Sequence, residues 1–378
     1  MRIGINALFM IPEGVGGTEI YLRELLKAFA RTDRKNEYII FSNKECFGTF
    51  NINQDNFSEV LCPIYARLRP ARILWEQFIL PLQIKKYKID VLFSPGYVSP
   101  LKVPCKSIVA ILDLNYYYFP EDFPKLALWT LKILVPFSAK VADKIITLSK
   151  HSSEIIAKNL RLPVWKVVPI YLAANKLAKI DISAQDLFAV RTKYGIKDKF
   201  ILSVAASHPH KNLKRLIQAY DILKNRYSVD MPLVLVGFKG RGYREVEEEI
   251  KKLNLKNEIK FTGWITDKEL AALYKSTEVF VFPSLHEGFG IPILEAMQFG
   301  VPVVSSNATS LPEVVGGAGL LFSPFDTEEM AERIYQVISN ESLRNSLIIK
   351  GHEKVKEFSW EKTARETLDV FNEVLLKK

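Results

Sequence analysis

Short apolar runs alternate along the chain with stretches whose apolar residues recur at helical spacing. In the first half RIGINAL (2–8), EYIIFS (37–42), DVLFSP (90–95), KSIVAILDL (106–114) and DKIITLS (143–149) have the length and residue types of strands. After the glycine cluster EGVGGT the apolar positions Ile20, Leu22, Leu25, Leu26 and Phe29 predict a helix, with Thr18 as its N-cap. The alternation stops over 172–199, where no period is visible, and this stretch reads as a linker. It restarts with strands FILSVAA (200–206), PLVLVG (232–237), EIKFTG (258–263), EVFVFPS (278–284) and VPVVSS (301–306). Helices are predicted between them from about 211 and over 243–253, 267–275 and 291–299. Continuous apolar strands between helices mean parallel sheets covered on both faces. The pattern therefore predicts an α/β chain of two Rossmann-like, doubly wound domains, residues 1–172 and 173–359. Ligands of such sheets bind beyond the carboxyl ends of the strands, so the cleft faced by two of them is the expected site.

Charge refines this picture. The net charge is +10, and it is uneven. Residues 1–172 hold 23 Lys and Arg against 15 Asp and Glu, a balance of +8; the other 206 residues hold 29 against 27, a balance of +2. A basic first half points to an anionic partner. Nucleic acid has only this charge in its favour, since no recognition motif accompanies it. Cys46, Cys62 and Cys105 are widely spaced and odd in number, which argues against a disulfide framework or a zinc knuckle and suggests a reducing cytoplasm. The N-terminal stretch lacks the pattern of a signal peptide, and no apolar run reaches the length of a membrane span.

Three stretches carry candidate chemistry. In GVGGT (14–18), Gly16 and Gly17 allow close backbone approach, and a helix N-terminus follows that can face a phosphate. In HPHKN (208–212), Lys211 sits past a strand end, where it can neutralise a phosphate. EGFGIPILE (287–295) is the strongest. Pro292 suits a first helical turn, which sets the helix start near 291. Glu287 then lies on the loop and Glu295 about one turn into the helix. A carboxylate accepts hydrogen bonds from vicinal hydroxyls, so Glu295 suits a ribose and Glu287 a sugar.

Residues 282–322, FPSLHEGFGIPILEAMQFGVPVVSSNATSLPEVVGGAGLLF, resemble the signature of retaining, GT-B-fold glycosyltransferases of family 4, with two glutamates separated by seven residues. Further blocks agree in order: GVGGTEIYLREL, DKIITLSKHSSEII (143–156), FILSVAASHPHKNLKRLIQAY (200–220), LVLVGFKGRGY (233–243), IKFTGWITDKELAALY (259–274) and FSWEKTARETL (358–368). SSNATSLPE (305–313) is most similar to mannosyltransferases of bacterial surface-polysaccharide synthesis. The resemblance implies transfer, with retention, from a nucleoside diphosphate sugar, GDP-mannose first, to a glycan or polyprenyl-diphosphate-linked acceptor. It implies that Glu295 holds the ribose, and that Glu287 and the backbone of Gly288, Phe289 and Gly290 hold the donor sugar. Lys211 would meet the diphosphate, with Gly16 and Gly17 closing over it, and Gly263 and Trp264 would face the base. Asp113 remains from the family's His-Asp pair, and Pro312 and Glu313 are read as structural. The last helix, 360–378, is expected to pack back on the first domain.

Two positions depart from the family. Leu112 stands where many members have the donor-contacting His, and Ala206 where many have an Arg beside the Lys; either His208 or His210 compensates, or a basic residue of the first domain does, or activity is low. No Asp-x-Asp motif is present, so neither a metal nor a separate cofactor is expected. The leaving diphosphate would be met by Lys211, helix N-termini and amides. Rival readings are a sugar-nucleotide epimerase or hydrolase, and a non-catalytic nucleotide-sugar binding protein. An oxidoreductase is disfavoured, since GVGGTE lacks the last glycine of GxGxxG. Finally, 65–88 and 123–140 mix apolar, aromatic and basic residues, so a peripheral position on an anionic inner membrane face is a further expectation.

Overall fold

The computed structural model describes residues 1–376, with the exception of Glu13, Val15, Lys197 and Asp198. The chain divides into two compact units, one of Met1–Leu172 with Ser359–Lys378 and one of Ala173–Phe358.

Unit 1 is built on a seven-stranded sheet: β1 Arg2–Ala7, β2 Glu37–Ser42, β3 Phe57–Leu61, β4 Val91–Ser94, β5 Lys106–Ala110, β6 Lys144–Thr147 and β7 Val167–Pro169. Its order is β3-β2-β1-β4-β5-β6-β7, and every pair is parallel. Central strands such as β4 and β6 are buried throughout, as strands covered on both faces must be. Two strands were not legible. β3 and β7 form the sheet edges: half-exposed FSEVL is interrupted by Ser58 and Glu59, and VVP is three residues long and ends in a proline, which speaks against a strand. The strand from Lys106 ends at Ala110 rather than at residue 114, which leaves Leu112 and Asp113 on the loop beyond its carboxyl end.

The first helix also differs from its expected start. It runs Gly17–Thr32 with Gly16 as N-cap, so Thr18 lies inside it. Gly16 has φ +59° and no side chain, and its carbonyl accepts from the N–H groups of Glu19 and Ile20, so backbone rather than a hydroxyl starts the helix. Within GVGGT, Val15 lies outside the described residues.

Helix Trp360–Leu376 belongs to unit 1 and packs on helix Gly17–Thr32; Lys377 and Lys378, the end of its expected range, lie outside the described residues. Phe371 is buried, with its ring 6.2 Å from that of Phe29 and 5.4 Å from that of Phe93. The Thr363 hydroxyl donates to the Tyr171 carbonyl at 2.7 Å, and Arg31 pairs with Glu361 at 2.7 Å.

Unit 2 carries a six-stranded sheet: β8 Ile201–Val204, β9 Leu233–Val236, β10 Ile259–Gly263, β11 Val279–Phe282, β12 Val303–Ser306 and β13 Gly319–Phe322. The order is β10-β9-β8-β11-β12-β13, again all parallel. The expected linker is not irregular. Ala184–Tyr194 is a helix, opened by a reciprocal cap between Ser183 and Asp186 and closed by Gly195 in the left-handed region. Only Val190 of that helix is buried, so the apolar period that betrays most helices is missing and the cap residues are the signal that remains.

Truncating Phe371 to Ala should cost unit 1 about 3–5 kcal/mol, because the rings of Phe29 and Phe93 lose a shared neighbour. Urea unfolding followed by a unit-1 probe would read it; an unchanged midpoint would mean that the last helix does not support this core.

Candidate functional site

The order of the unit 2 sheet reverses between β8 and β11, the first two strands to pair on opposite sides of the switch. Loops leaving the carboxyl ends at such a point diverge to opposite faces and leave a crevice. After β8 the chain makes a short turn, Pro209–Lys211, then places Asn212 at φ +59° before helix Leu213–Tyr227. After β11 it runs through 283–290 into helix Ile291–Gln298. The two loops are joined. Leu285 N–H donates to the His210 carbonyl at 2.8 Å, and the Lys211 Nζ donates to Glu287 Oε1 at 2.6 Å. Buried Asn212 fixes the bend, since its Nδ2 donates to the carbonyls of Pro283 at 3.0 Å and Pro324 at 2.7 Å.

Glu287 is held at three points. Its N–H donates to Thr309 Oγ1 at 3.0 Å, its carbonyl accepts from the Ser310 hydroxyl at 2.9 Å, and its carboxylate accepts a hydrogen bond from the Lys211 ammonium. Burial pulls this carboxyl up, but Lys211, His210 and the bonds from Lys211 and Ser284 outweigh it and hold it below the usual range. It is therefore an anion at neutral pH. The Lys211 ammonium also lies 5.8 Å over the Phe282 ring. His208 stacks on His210 with ring centres 5.8 Å apart, so the loop past Ala206 carries an imidazole pair beside the ammonium.

Glycine shapes the next corner. Gly290 caps helix Ile291–Gln298 at φ +118°, and a Cβ there would lie 2.9 Å from Leu311 Cδ2. With Pro292 in the first turn, the helix points its N-terminal end at the loop that carries Glu287, a favourable place for an anion. Glu295 lies one turn further and is 4% exposed. Its Oε1 accepts from Asn175 Nδ2 at 2.6 Å and its Oε2 from the Tyr274 hydroxyl at 3.1 Å. Burial raises this carboxyl to about 7, with the two hydrogen bonds opposing. So the two glutamates of one motif have opposite electrostatic surroundings.

The remaining expected residues fall in two places. Gly263 ends β10, and its carbonyl accepts from Gly237 N–H at 3.2 Å; Trp264 beside it is 77% exposed. In unit 1, the Asp113 carboxylate accepts from the Tyr97 hydroxyl at 2.9 Å and from the Asn115 N–H at 3.1 Å and Nδ2 at 3.0 Å, so it organises its own loop. Leu112 is buried. Gly16 and Gly17 present backbone with nothing within 4 Å of a built Cβ. Sequence reasoning missed Asn175 and Tyr274, which hold Glu295, and it missed buried Glu76 in unit 1. The Glu76 Oε1 accepts from Asn6 Nδ2 at 2.7 Å, at the β1–β4 reversal of that sheet, from a π-helical turn, Trp75–Ile79. That π-helical turn is the only signal there, and it is a structural one. Among the described residues no cluster of His, Cys, Asp and Glu could hold a metal ion.

Two family models match: Glycosyltransferase Family 4 over residues 15–175 and Glycosyl transferases group 1 over 188–354. The chain is 31% identical to the O-antigen chain mannosyltransferase B of Escherichia coli, over 82% of this chain and 80% of that one. It is also 31% identical to a serotype-specific mannosyltransferase WbdA of Escherichia coli, over 72% of this chain but only 33% of that longer protein. The fold is that of Anabaena HepE, solved in complex with UDP-glucose, with TM-score 0.75, 18% identity and coverage of 99% of this chain and 100% of that one.

Two measurements follow from the glutamates. Lys211→Met should destabilise unit 2 by about 3–5 kcal/mol, since it leaves a buried anion unpaired, whereas adding Glu287→Leu should recover much of that loss. Additive losses in chemical unfolding would mean the pair is not coupled. For Glu295 the folded state prefers the proton, so its contribution to stability is complete below about 4.5 and is lost as pH rises through about 7. Glu295→Gln should therefore gain on the wild type between pH 5 and pH 8, by on the order of 3 kcal/mol. Parallel melting curves across that range would remove the assignment.

Proposed function

The chain belongs to family 4 of the glycosyltransferases, enzymes of the GT-B fold, and from that premise we propose that it transfers mannose, with retention, from GDP-mannose to a glycan or lipid-linked acceptor in surface-polysaccharide synthesis. The choice of mannose rests on the names of the two Escherichia coli relatives. The reading of the site rests on one observation: Lys211 and Glu287 meet at the strand reversal of unit 2, on the loop that leads into the N-terminus of helix Ile291–Gln298.

Each part has a physical task. The Lys211 ammonium has three N–H donors, and one of them hydrogen-bonds Glu287. The others meet a β-phosphate, as does the positive end of the dipole of helix Ile291–Gln298. As the glycosidic bond breaks, negative charge grows on that phosphate, and groups already in place stabilise it without reorganisation. Glu287, an anion pinned through backbone and side chain, positions the sugar hydroxyls and faces the positive charge that grows at the anomeric carbon. Attack from the same face as the departing phosphate, which accepts the acceptor's proton, retains configuration. Glu295 takes the two ribose hydroxyls in place of Asn175 and Tyr274. Trp264, exposed beside Gly263, covers the base.

A thermal-shift panel of GDP, UDP and ADP, with and without Mg²⁺, tests the donor. GDP at about a hundredfold over its Kd should add roughly 2.7 kcal/mol, and Glu295→Ala should lose most of it. Stabilisation by UDP or ADP but not GDP would overturn the guanine reading. With GDP-mannose and a mannoside acceptor, an inverted product or turnover to free mannose alone would overturn retaining transfer.

A further inference from the structure

Helix Lys125–Val141 has two apolar faces. Ala127, Val135 and Ala139 are buried in unit 1. On the other side Leu126, Trp129, Ile133, Phe137 and Val141 are exposed, Leu126 by 63% and Trp129 by 71%. At about 100° per residue these five fall within an arc of roughly 120°. A helix that is apolar on both sides is normally buried on both. A second stripe runs from the end of helix Arg69–Leu74 through the π-helical segment into helix Leu80–Lys86: Leu74, Phe78 and Leu82, four residues apart, are exposed by 58%, 67% and 64%.

The two stripes share one anchor. Gln77 Nε2 donates to the Ser99 carbonyl at 3.3 Å, and the Ser138 hydroxyl donates to the same oxygen at 3.1 Å. Phe78 and Phe137 are sequence neighbours of those donors, and exposed Leu101 is two residues past the acceptor. The apolar side chains thus come from segments tied at one point.

Charge identifies what covers them. Segments 65–88 and 123–140 hold nine of the 23 Lys and Arg of residues 1–172 and one of the 15 Asp and Glu. That one is Glu76, which is buried. Fourteen cations and fourteen anions remain elsewhere, so the whole excess of the first half resides in the two segments that expose the stripes. We propose that this face of unit 1 docks on an anionic bilayer, with Leu126, Trp129, Phe137, Phe78 and Leu82 entering the headgroup layer and the flanking lysines meeting lipid phosphates. A second copy would set like charges against like. No helix among the described residues is long and apolar enough to cross a membrane, so the contact is peripheral. The face is independent of Lys211 and Glu287, so vesicle binding and nucleotide binding succeed or fail separately.

The test is sedimentation of the full chain with vesicles of phosphatidylcholine alone or with phosphatidylglycerol added. Wild type should sediment only with the anionic vesicles, and release at about 1 M salt should be partial, since the apolar contacts are not screened. Trp129→Ser with Phe137→Ser should weaken binding about tenfold or more with an unchanged melting curve, since both side chains are exposed. Replacing Lys125, Lys132 and Lys140 by Ala should weaken it about fivefold per lysine. No binding to anionic vesicles, equal binding by the variants, or a dimer that Phe137→Ser dissolves would overturn the proposal.

Discussion

An ammonium and a carboxylate held 2.6 Å apart in a mostly buried corner fix the geometry of unit 2. Neither can be left there alone, because an unpaired charge at that depth costs several kcal/mol. The pair therefore forces the turn after β8 and the loop after β11 to keep company at the point where their strands part direction. Asn212, Thr309 and Ser310 hold the surrounding backbone in support. What results is a fixed field: a cation and a helix N-terminus on one side, an anion on the other, with no reorganisation needed when charge develops between them.

The second carboxyl of the motif works by a different rule. Glu287 is ionised because cations face it, and Glu295 is pulled toward neutrality because burial takes it from water and Asp267 adds a like charge, against the bonds from Asn175 and Tyr274. Eight positions along one motif separate a group suited to meeting positive charge from one suited to hydroxyl recognition. The difference comes from packing and not from residue type.

Much of this was legible in the sequence, and the limits are physical. Buried parallel strands announce themselves by unbroken apolar runs, so the central strands and the two-unit pattern could be read directly, as could the helix start marked by Gly290 and Pro292. Edge strand β3 carries no such run, because one flank faces water, and β7 is three residues ending in a proline. Helix Ala184–Tyr194 hides its period because it buries one side chain, though Ser183 and Asp186 marked its start. At Gly16 the sequence pointed to a hydroxyl cap, but the backbone does that work. The Lys211–Glu287 contact could be guessed as a shared site but not as a bond, because 76 residues separate the partners. Asn175 was beyond reach, since nothing in its local sequence connects it to a helix 120 residues away.

The helix that closes unit 1 has a consequence for how the protein is made. Phe371 lies against Phe29 and Phe93, and Thr363 bonds to Tyr171, yet all of unit 2 is encoded between Tyr171 and Thr363. A chain emerging from the ribosome can finish its second half while its first still has an open hydrophobic flank. Unit 1, whose first strands appear before any of unit 2, is completed after it. During that interval Phe29 and Phe93 are exposed to whatever else is nearby, until helix Trp360–Leu376 covers them.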